Sequence, residues 1–316
     1  MQIKITAKDV GQRLDLWLAT KFHDKSRAWL KKEIKARHIL VNRETKKQSY
    51  RLKESDLLEI ELKDPGPFLL EPNPNIKISV IYEDNDVLAI NKPAGISVHP
   101  GNPPRNDTVA NWFINHYPSA RSVGDDSEFR PGIVHRLDKD TSGVMLLAKN
   151  KAAFEGLKNQ FKEREVDKKY LALVFGKSKR KSGWIDFPIA RSLKDPTKQV
   201  ALGKRNARQQ KTKPRPAKTF YRVKEEFRNY SLIEVSPKTG RMHQIRVHLA
   251  AAGLPIVGDR KYGCGAQKNA LGLKRQFLHA QSIGFVSLEG EKINVSAPLP
   301  SDLKKALGKI KASVSA

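Results

Sequence analysis

Between two stretches of patterned apolar residues the chain runs through Asp64-Pro65-Gly66-Pro67 and then Pro72 and Pro74. Proline fixes φ, removes a backbone donor and pushes the residue before it out of helical space. Such a run supports neither a helix nor a central strand. A chain of 316 residues has room for about two domains, and this run is where it divides. The expected organisation is a small unit over residues 1–62, a linker over 63–75, a large unit over 76–301 and a frayed basic tail over 302–316.

In the small unit, Ile3 and Ile5 alternate with polar residues as in a short strand, and Leu14, Trp17 and Leu18 follow at helical spacing. A second helix is expected over residues 27–37. Trp29, Leu30 and Ile34 lie on one side, and Lys31, Lys32, Lys35 and Arg37 on the other. Strands are expected near 38–42 and 56–62. In the large unit, residues 87–90, 144–148, 170–175 and 231–235 read as strands. Asn150 caps a helix whose face is Phe154, Leu157 and Phe161, and Gly253 closes another over 243–252. Strands outnumber helices without regular alternation. That favours an α+β domain with a mixed, largely antiparallel central sheet flanked by helices over a doubly wound fold.

Lys and Arg number 60 against 33 Asp and Glu, a formal charge of +27. This excess calls for a polyanion, nucleic acid before an anionic membrane surface. Residues 203–218 hold seven basic residues and no acidic one, the composition of a disordered, phosphate-seeking loop. Lys204, Arg205 and Arg208 are its candidate RNA contacts; a solvated loop without a role is the alternative. The lone cysteine, Cys264, excludes a disulfide framework and a cysteine-rich zinc site. The opening MQIKITAKDV lacks the apolar stretch of a secretory signal, and runs such as Val144-Met145-Leu146-Leu147-Ala148 are too short to span a bilayer. A cytoplasmic monomer that binds RNA and no membrane is expected. No phosphate-binding G-x-x-x-x-G-K-[ST], no G-x-G-x-x-G after a strand and no G-x-S-x-G is present. ATPases, dinucleotide-dependent dehydrogenases and α/β-hydrolases are thereby excluded.

The densest polar cluster is Arg130-Pro131-Gly132-Ile133-Val134-His135-Arg136-Leu137-Asp138-Lys139-Asp140-Thr141-Ser142-Gly143, which runs into the apolar strand at Val144. Functional groups gain precision from such a rigid support. A carboxylate beside Arg136 and Lys139 stays ionised and can act as nucleophile or base. A turn satisfied by its own Asp and Thr side chains is the plainer reading. A metal set of His135, Asp138 and Asp140 is disfavoured by the interleaved cations, so no metal is expected. The second cluster is Lys238-Thr239-Gly240-Arg241-Met242-His243-Gln244-Ile245-Arg246-Val247-His248-Leu249. His243 and Arg246 share a helix face, and Arg246 can pair with a carboxylate such as Asp138. A surface helix with ordinary charges, or buried and satisfied histidines, fits the same pattern.

These residues carry a resemblance. Arg136-Leu137-Asp138 with Thr141-Ser142-Gly143 resembles the R-L-D-x-x-T-S-G signature of the RluA-type pseudouridine synthases. Further blocks follow in the family's order: Asn91-Lys92-Pro93-Ala94-Gly95, Lys169-Tyr170-Leu171-Ala172, then Gly240 to His248 continuing to Gly258-Asp259 and Tyr262-Gly263, then Leu278-His279-Ala280 and Ala297-Pro298-Leu299-Pro300. Residues 1–62, through Gln12-Arg13-Leu14-Asp15 and the basic helix ending in His38-Ile39-Leu40-Val41-Asn42, are similar to an S4 RNA-binding domain.

The resemblance implies conversion of uridine to pseudouridine in structured RNA, without cofactor. Asp138 would be nucleophile at C1′ or base toward the sugar. Arg246 would pair with it, Tyr170 would stack on the uracil, and Arg136 would fill the space left by a flipped base. His135, Lys139 and Thr141 are the motif's further candidate RNA contacts, with Lys31, Lys32, Lys35 and Arg37 in the small unit. Lys139-Asp140 at the variable motif positions points to 23S-type large-subunit ribosomal RNA or its precursor. A transfer-RNA synthase and a non-catalytic ribosome-assembly factor on the same fold are the alternatives. The basic stretch 203–218 and Phe285-Val286-Ser287, where members often have His-Pro, depart from the family pattern.

Overall fold

The computed structural model describes the chain except for residues 24, 26, 63–68, 102–103, 204–209, 264 and 313–316, and the side chains of 28 and 266–269. The chain forms two compact units, Met1–Phe68 and Leu69–Ala316.

The first unit holds β1 (Gln2–Lys4), α1 (Leu14–Lys21), α2 (Arg27–Lys35), β2 (Ile39–Val41) and β3 (Leu57–Ile60). The strands form one antiparallel sheet in the order β1-β3-β2. Leu14, Trp17 and Leu18 of α1 and Leu30 and Ile34 of α2 are buried against Ile39, Val41, Leu58 and Ile60. The apolar spacing in both helices is thus spent on this core. Asp15 is wholly buried, yet Arg13 at 3.0 Å and Arg27 at 3.1 Å pair with it, so its charge is compensated.

The second unit begins with residues 69–75 laid against it. Leu70 is buried and its carbonyl accepts from Arg121 at 3.0 Å, while the Glu71 carbonyl accepts from Asn111 at 2.8 Å. That half of the expected linker is therefore part of the large unit; residues 63–68 lie outside the described residues. The elements that follow are β4 (Ser79–Glu83), β5 (Val87–Lys92), α3 (Val109–His116), β6 (Ser142–Ala148), α4 (Lys151–Glu163), β7 (Asp167–Phe175), β8 (Ser182–Ile185), β9 (Ile189–Arg191), β10 (Gln199–Ala201), β11 (Thr219–Glu226), β12 (Tyr230–Pro237), α5 (Gln244–Ala251), β13 (Leu278–Val286), β14 (Lys292–Ser296) and α6 (Ser301–Ala312). One sheet runs β4-β5-β6-β13-β7-β12-β11-β8, with β14 beside β13. Its pairs are antiparallel except β6 with β13, where His279 faces Ser142 and Ala280 faces Gly143. β9 and β10 form a separate antiparallel pair. The arrangement is α+β with a mixed, largely antiparallel sheet.

Two expectations are corrected. Residues 302–312 are not a frayed tail: α6 buries Leu303, Ala306 and Ile310 in the core that also holds Phe277 and Leu273, and residues 313–316 lie outside the described residues. These three residues recur at helical spacing, and burial outweighs the basic, fray-prone composition. The basic stretch is also not one free loop. Lys204, Arg205 and Arg208 lie outside the described residues. From residue 210 onward the chain is held: Gln210 bridges to Ser192, Arg215 to Ile189, and Ala217 is buried.

Candidate active site

The parallel join of β6 and β13 positions the site. Ala280 faces Gly143 on β6 and, across its other edge, Tyr170 on β7. The start of β6 and the middle of β7 are thereby held one strand apart. Gly143 has φ +116°, and a Cβ there would lie 2.1 Å from the Ala280 carbonyl oxygen, so only glycine allows this approach. Ser142 Oγ lies 3.0 Å from His279 Nδ1, and His279 Nε2 donates to the Ala297 carbonyl at 3.1 Å, fastening the same join.

Asp138 lies in the turn just before β6. Thr141 N–H donates to its carbonyl at 3.1 Å, and Gly95 N–H to the Lys139 carbonyl at 2.9 Å. Lys92 is wholly buried, and its Nζ donates to the carbonyls of Pro93 and Ile96 at 2.8 Å and of Lys139 at 3.0 Å. Three acceptors meet three N–H donors. Burial pushes this ammonium down to about 7, opposed by the nearby carboxylates of Asp140 and Asp138. Lys92 ties the 93–96 loop to the turn that carries Asp138.

Arg246 projects from the first turns of α5. Its Nη1 donates to Asp138 Oδ2 at 2.9 Å. On its other edge Nε and Nη2 donate to the two oxygens of Asp259 at 2.7 and 2.9 Å. Asp259 is fully buried and also accepts from the N–H groups of Lys261 and Tyr262. Burial alone would raise its pKa, but the two Arg246 hydrogen bonds and the guanidinium charge hold it below the usual carboxylate range. Arg246 itself is opposed by burial, and Asp259 and Asp138 outweigh this and raise its pKa. The Tyr262 ring lies 5.2 Å from the Arg246 guanidinium. The Tyr262 hydroxyl accepts from Gln199 N–H at 2.9 Å and lies 2.8 Å from His243 Nδ1. His243, just before α5, has the left-handed φ of +55°.

An open pocket of about 140 Å³ is lined by Asp138, Tyr170, Arg246, Arg136, His243 and Leu278, among others. Tyr170 is half-buried; burial, then the nearby Asp138 carboxylate, raises its pKa, so it remains a neutral phenol at neutral pH. Leu278 and Ile245 give the pocket an apolar wall beside its charged floor. It is suited to a flat, partly polar ring with an ionised carboxylate beside it.

Asp138, Tyr170, Arg246 and Arg136 thus meet at one pocket. Arg136 is exposed and its Nη1 donates to His99 Nε2 at 2.9 Å. Three other motif residues are placed differently. His135 Nε2 accepts from Leu146 N–H at 2.8 Å and its ring stacks on Phe161 at 4.6 Å. Burial lowers its pKa to about 3, so it is a neutral brace and not a cationic RNA contact. Thr141 borders the Asp138 pocket, but it is buried and its hydroxyl accepts from Gln276 at 3.2 Å. Lys139 serves the site through its carbonyl, with its side chain exposed. In the first unit Lys32, Lys35 and Arg37 are exposed, whereas Lys31 leans to 3.8 Å from Asp15. Among the described residues no three His, Cys, Asp or Glu side chains cluster as metal ligands.

Sequence reasoning assigned no role to Asp259, Lys92 or Tyr262. Asp259 stands 13 residues beyond Arg246, past the helix end, where no periodic spacing links them. Lys92 carried a faint signal, a charge closing the apolar run of β5.

Comparison with known proteins accords with this geometry. Residues 86–251 match the family described as RNA pseudouridylate synthase, and residues 12–58 match the S4 domain. An uncharacterized RNA pseudouridine synthase of Bacillus subtilis, YlyB, is 36% identical over 314 residues, 97% of either chain. A protein of Pasteurella multocida named ribosomal large subunit pseudouridine synthase D is 36% identical over 327 residues, covering 99% of this chain and 95% of that one. Among solved structures, human RNA pseudouridylate synthase domain containing 1 superposes with a TM-score of 0.58 at 27% identity, over 77% of this chain and 98% of that one. The chain belongs to the RNA pseudouridine synthases of the RluA type, isomerases of RNA uridine, and carries an N-terminal S4 RNA-binding domain.

Proposed function

We propose that this enzyme isomerises uridines of large-subunit ribosomal RNA, with Asp138 as the catalytic carboxylate. The observation that carries the reading is the chain Asp259–Arg246–Asp138, which ends with a partly exposed carboxylate in a pocket walled by Tyr170. Similarity to full-length relatives named for the large ribosomal subunit supports the RNA class. The target uridine is flipped out of its stack into the pocket, at a cost of a few kcal/mol. Asp138, kept ionised and oriented by Arg246, acts on the ribose, either by adding to C1′ or as a base toward the sugar. The N1–C1′ bond breaks, the uracil turns against the Tyr170 ring, and a C5–C1′ bond forms. The C5 proton leaves and N1 gains a proton, so the reaction balances without cofactor. Arg136, at the pocket mouth, occupies the space that the flipped base vacates.

The test is tritium release from 5-³H-uridine RNA prepared from cells lacking this gene and separated into ribosomal and transfer fractions. Release from large-subunit RNA by the wild type, and none by Asp138→Asn despite retained RNA binding, is the expected outcome. Release confined to transfer RNA would overturn the target. Undiminished release by Asp138→Asn would remove it from the chemistry.

A further inference from the structure

The Asp138 pocket opens past Tyr170 into a second cleft; Arg136, Tyr170 and Arg241 stand in the walls of both. Seven Lys and Arg side chains line this cleft, and no carboxylate among the described residues does. Lys158 is paired outside it with Asp125 at 2.9 Å, and Lys162 with Glu163 at 3.8 Å. Arg164, Lys168, Lys238 and Arg241 pair with no carboxylate among the described residues. They also crowd one another. Burial and then Lys238 lower the pKa of Lys168, with Asp167 opposing them less strongly; burial and then Arg215 and Arg164 lower that of Arg241. Like charges crowded along one cleft repel one another until an anion enters.

Arg164 adds an independent observation. It ends α4 in the left-handed conformation, φ +66° and ψ +30°, where glycine is the ordinary residue. A side chain held in that conformation at the rim of a cleft points to a role for the side chain. A nucleotide seated on Asp138 also brings its own 5′ and 3′ phosphates to the pocket mouth, beside these cations.

We propose that this cleft is a phosphate track that grips the RNA backbone next to the target uridine through Arg164, Lys168, Lys238 and Arg241. The inference rests on the RNA reading of the adjoining pocket. Backbone phosphates fit it better than a compact anion, because several cations line a cleft that shares walls with the Asp138 pocket and the whole chain carries +27.

The test measures binding of in-vitro-transcribed large-subunit ribosomal RNA over a series of KCl concentrations, in an Asp138→Asn background. Arg164→Gly and Lys168→Gln are each expected to flatten the slope of log K against log[KCl] by about 0.7–0.9, one phosphate contact. Lys304→Gln, which removes an exposed charge on α6, leaves the slope as it was. Arg164→Gly is also expected to raise Tm by about 2 °C, because glycine suits the left-handed position. Weaker binding from a more stable protein separates ligand contact from fold damage. Unchanged slopes in both cleft variants overturn the proposal, as does equal flattening by Lys304→Gln. Because binding is read without turnover, failure of the isomerase reading appears separately, as absent tritium release with the slopes still reporting on the cleft.

Discussion

Arg246 stands between two carboxylates with different work. Asp259, fully buried, takes the Nε edge of the guanidinium in a two-bond fork, which leaves Nη1 aimed at Asp138. Fixing one edge of a planar fork fixes the direction of the other. Asp259 is therefore the positioning residue for the pair. Asp259→Asn leaves a buried guanidinium short of one counter-charge and is expected to destabilise the second unit by about 3 kcal/mol. It is also expected to lower turnover more than RNA affinity. The sign of the pH effect follows from the depressed pKa of Asp259. Its contribution is present above the unfolded carboxylate value, about 4, and is lost as pH falls through the lower folded value. Urea unfolding of wild type and Asp259→Asn should therefore differ at pH 7, and the gap should narrow as pH falls below about 4; an equal gap at pH 7 and pH 3 would refute an ionic role. The Asp138–Arg246 pairing was legible from residue type. The Asp259–Arg246 pairing was not, because a buried aspartate in a loop has no local pattern.

At the scale of elements, the reaction geometry depends on one parallel contact in an otherwise antiparallel sheet. Strand and helix spans are local properties: alternation in β12, the run of β6, the Asn150 cap of α4 and Gly253 after α5 are written in neighbouring residues. That β13 enters between β6 and β7 is not, since it joins residues 142–143 to 279–280. Gly143→Ala tests this contact. The added Cβ meets the Ala280 carbonyl oxygen at 2.1 Å in a backbone region of positive φ, so at least about 3 kcal/mol of stability should be lost. Residual folded protein should turn over slowly, because β6 and β7 separate and Asp138 moves from Tyr170. A thermal melt and the tritium assay read both; a variant with wild-type Tm and rate would show that the tight join is dispensable. His135 belongs at this scale as well, since its ring braces β6 through Leu146 and stacks on Phe161 of α4.

At the scale of the whole molecule, each unit carries its own core, Leu14 and Trp17 with Leu58 in one, and β5, β6 and β13 with α3 and α4 in the other. A fragment of residues 69–316 is therefore expected to keep a cooperative unfolding transition. Stripped of the S4 unit, with its exposed Lys32, Lys35 and Arg37, it should bind RNA more weakly and with a shallower salt dependence. A fragment with full affinity and slope would show that the S4 unit contributes nothing to capture. The sequence by itself determined what depends on residue type and nearby order: the proline-rich break, the polyanion partner implied by +27, most helices and strands, and the residues of the motif. Only the tertiary structure decided what depends on contacts between distant residues: the place of β13, the Asp259 brace on Arg246, the burial of Thr141, the neutral state of His135 and the docking of α6. Apolar periodicity states that a face must be buried, but the partner that buries it, and the charge that a buried group keeps, are set by neighbours brought together only when the chain folds.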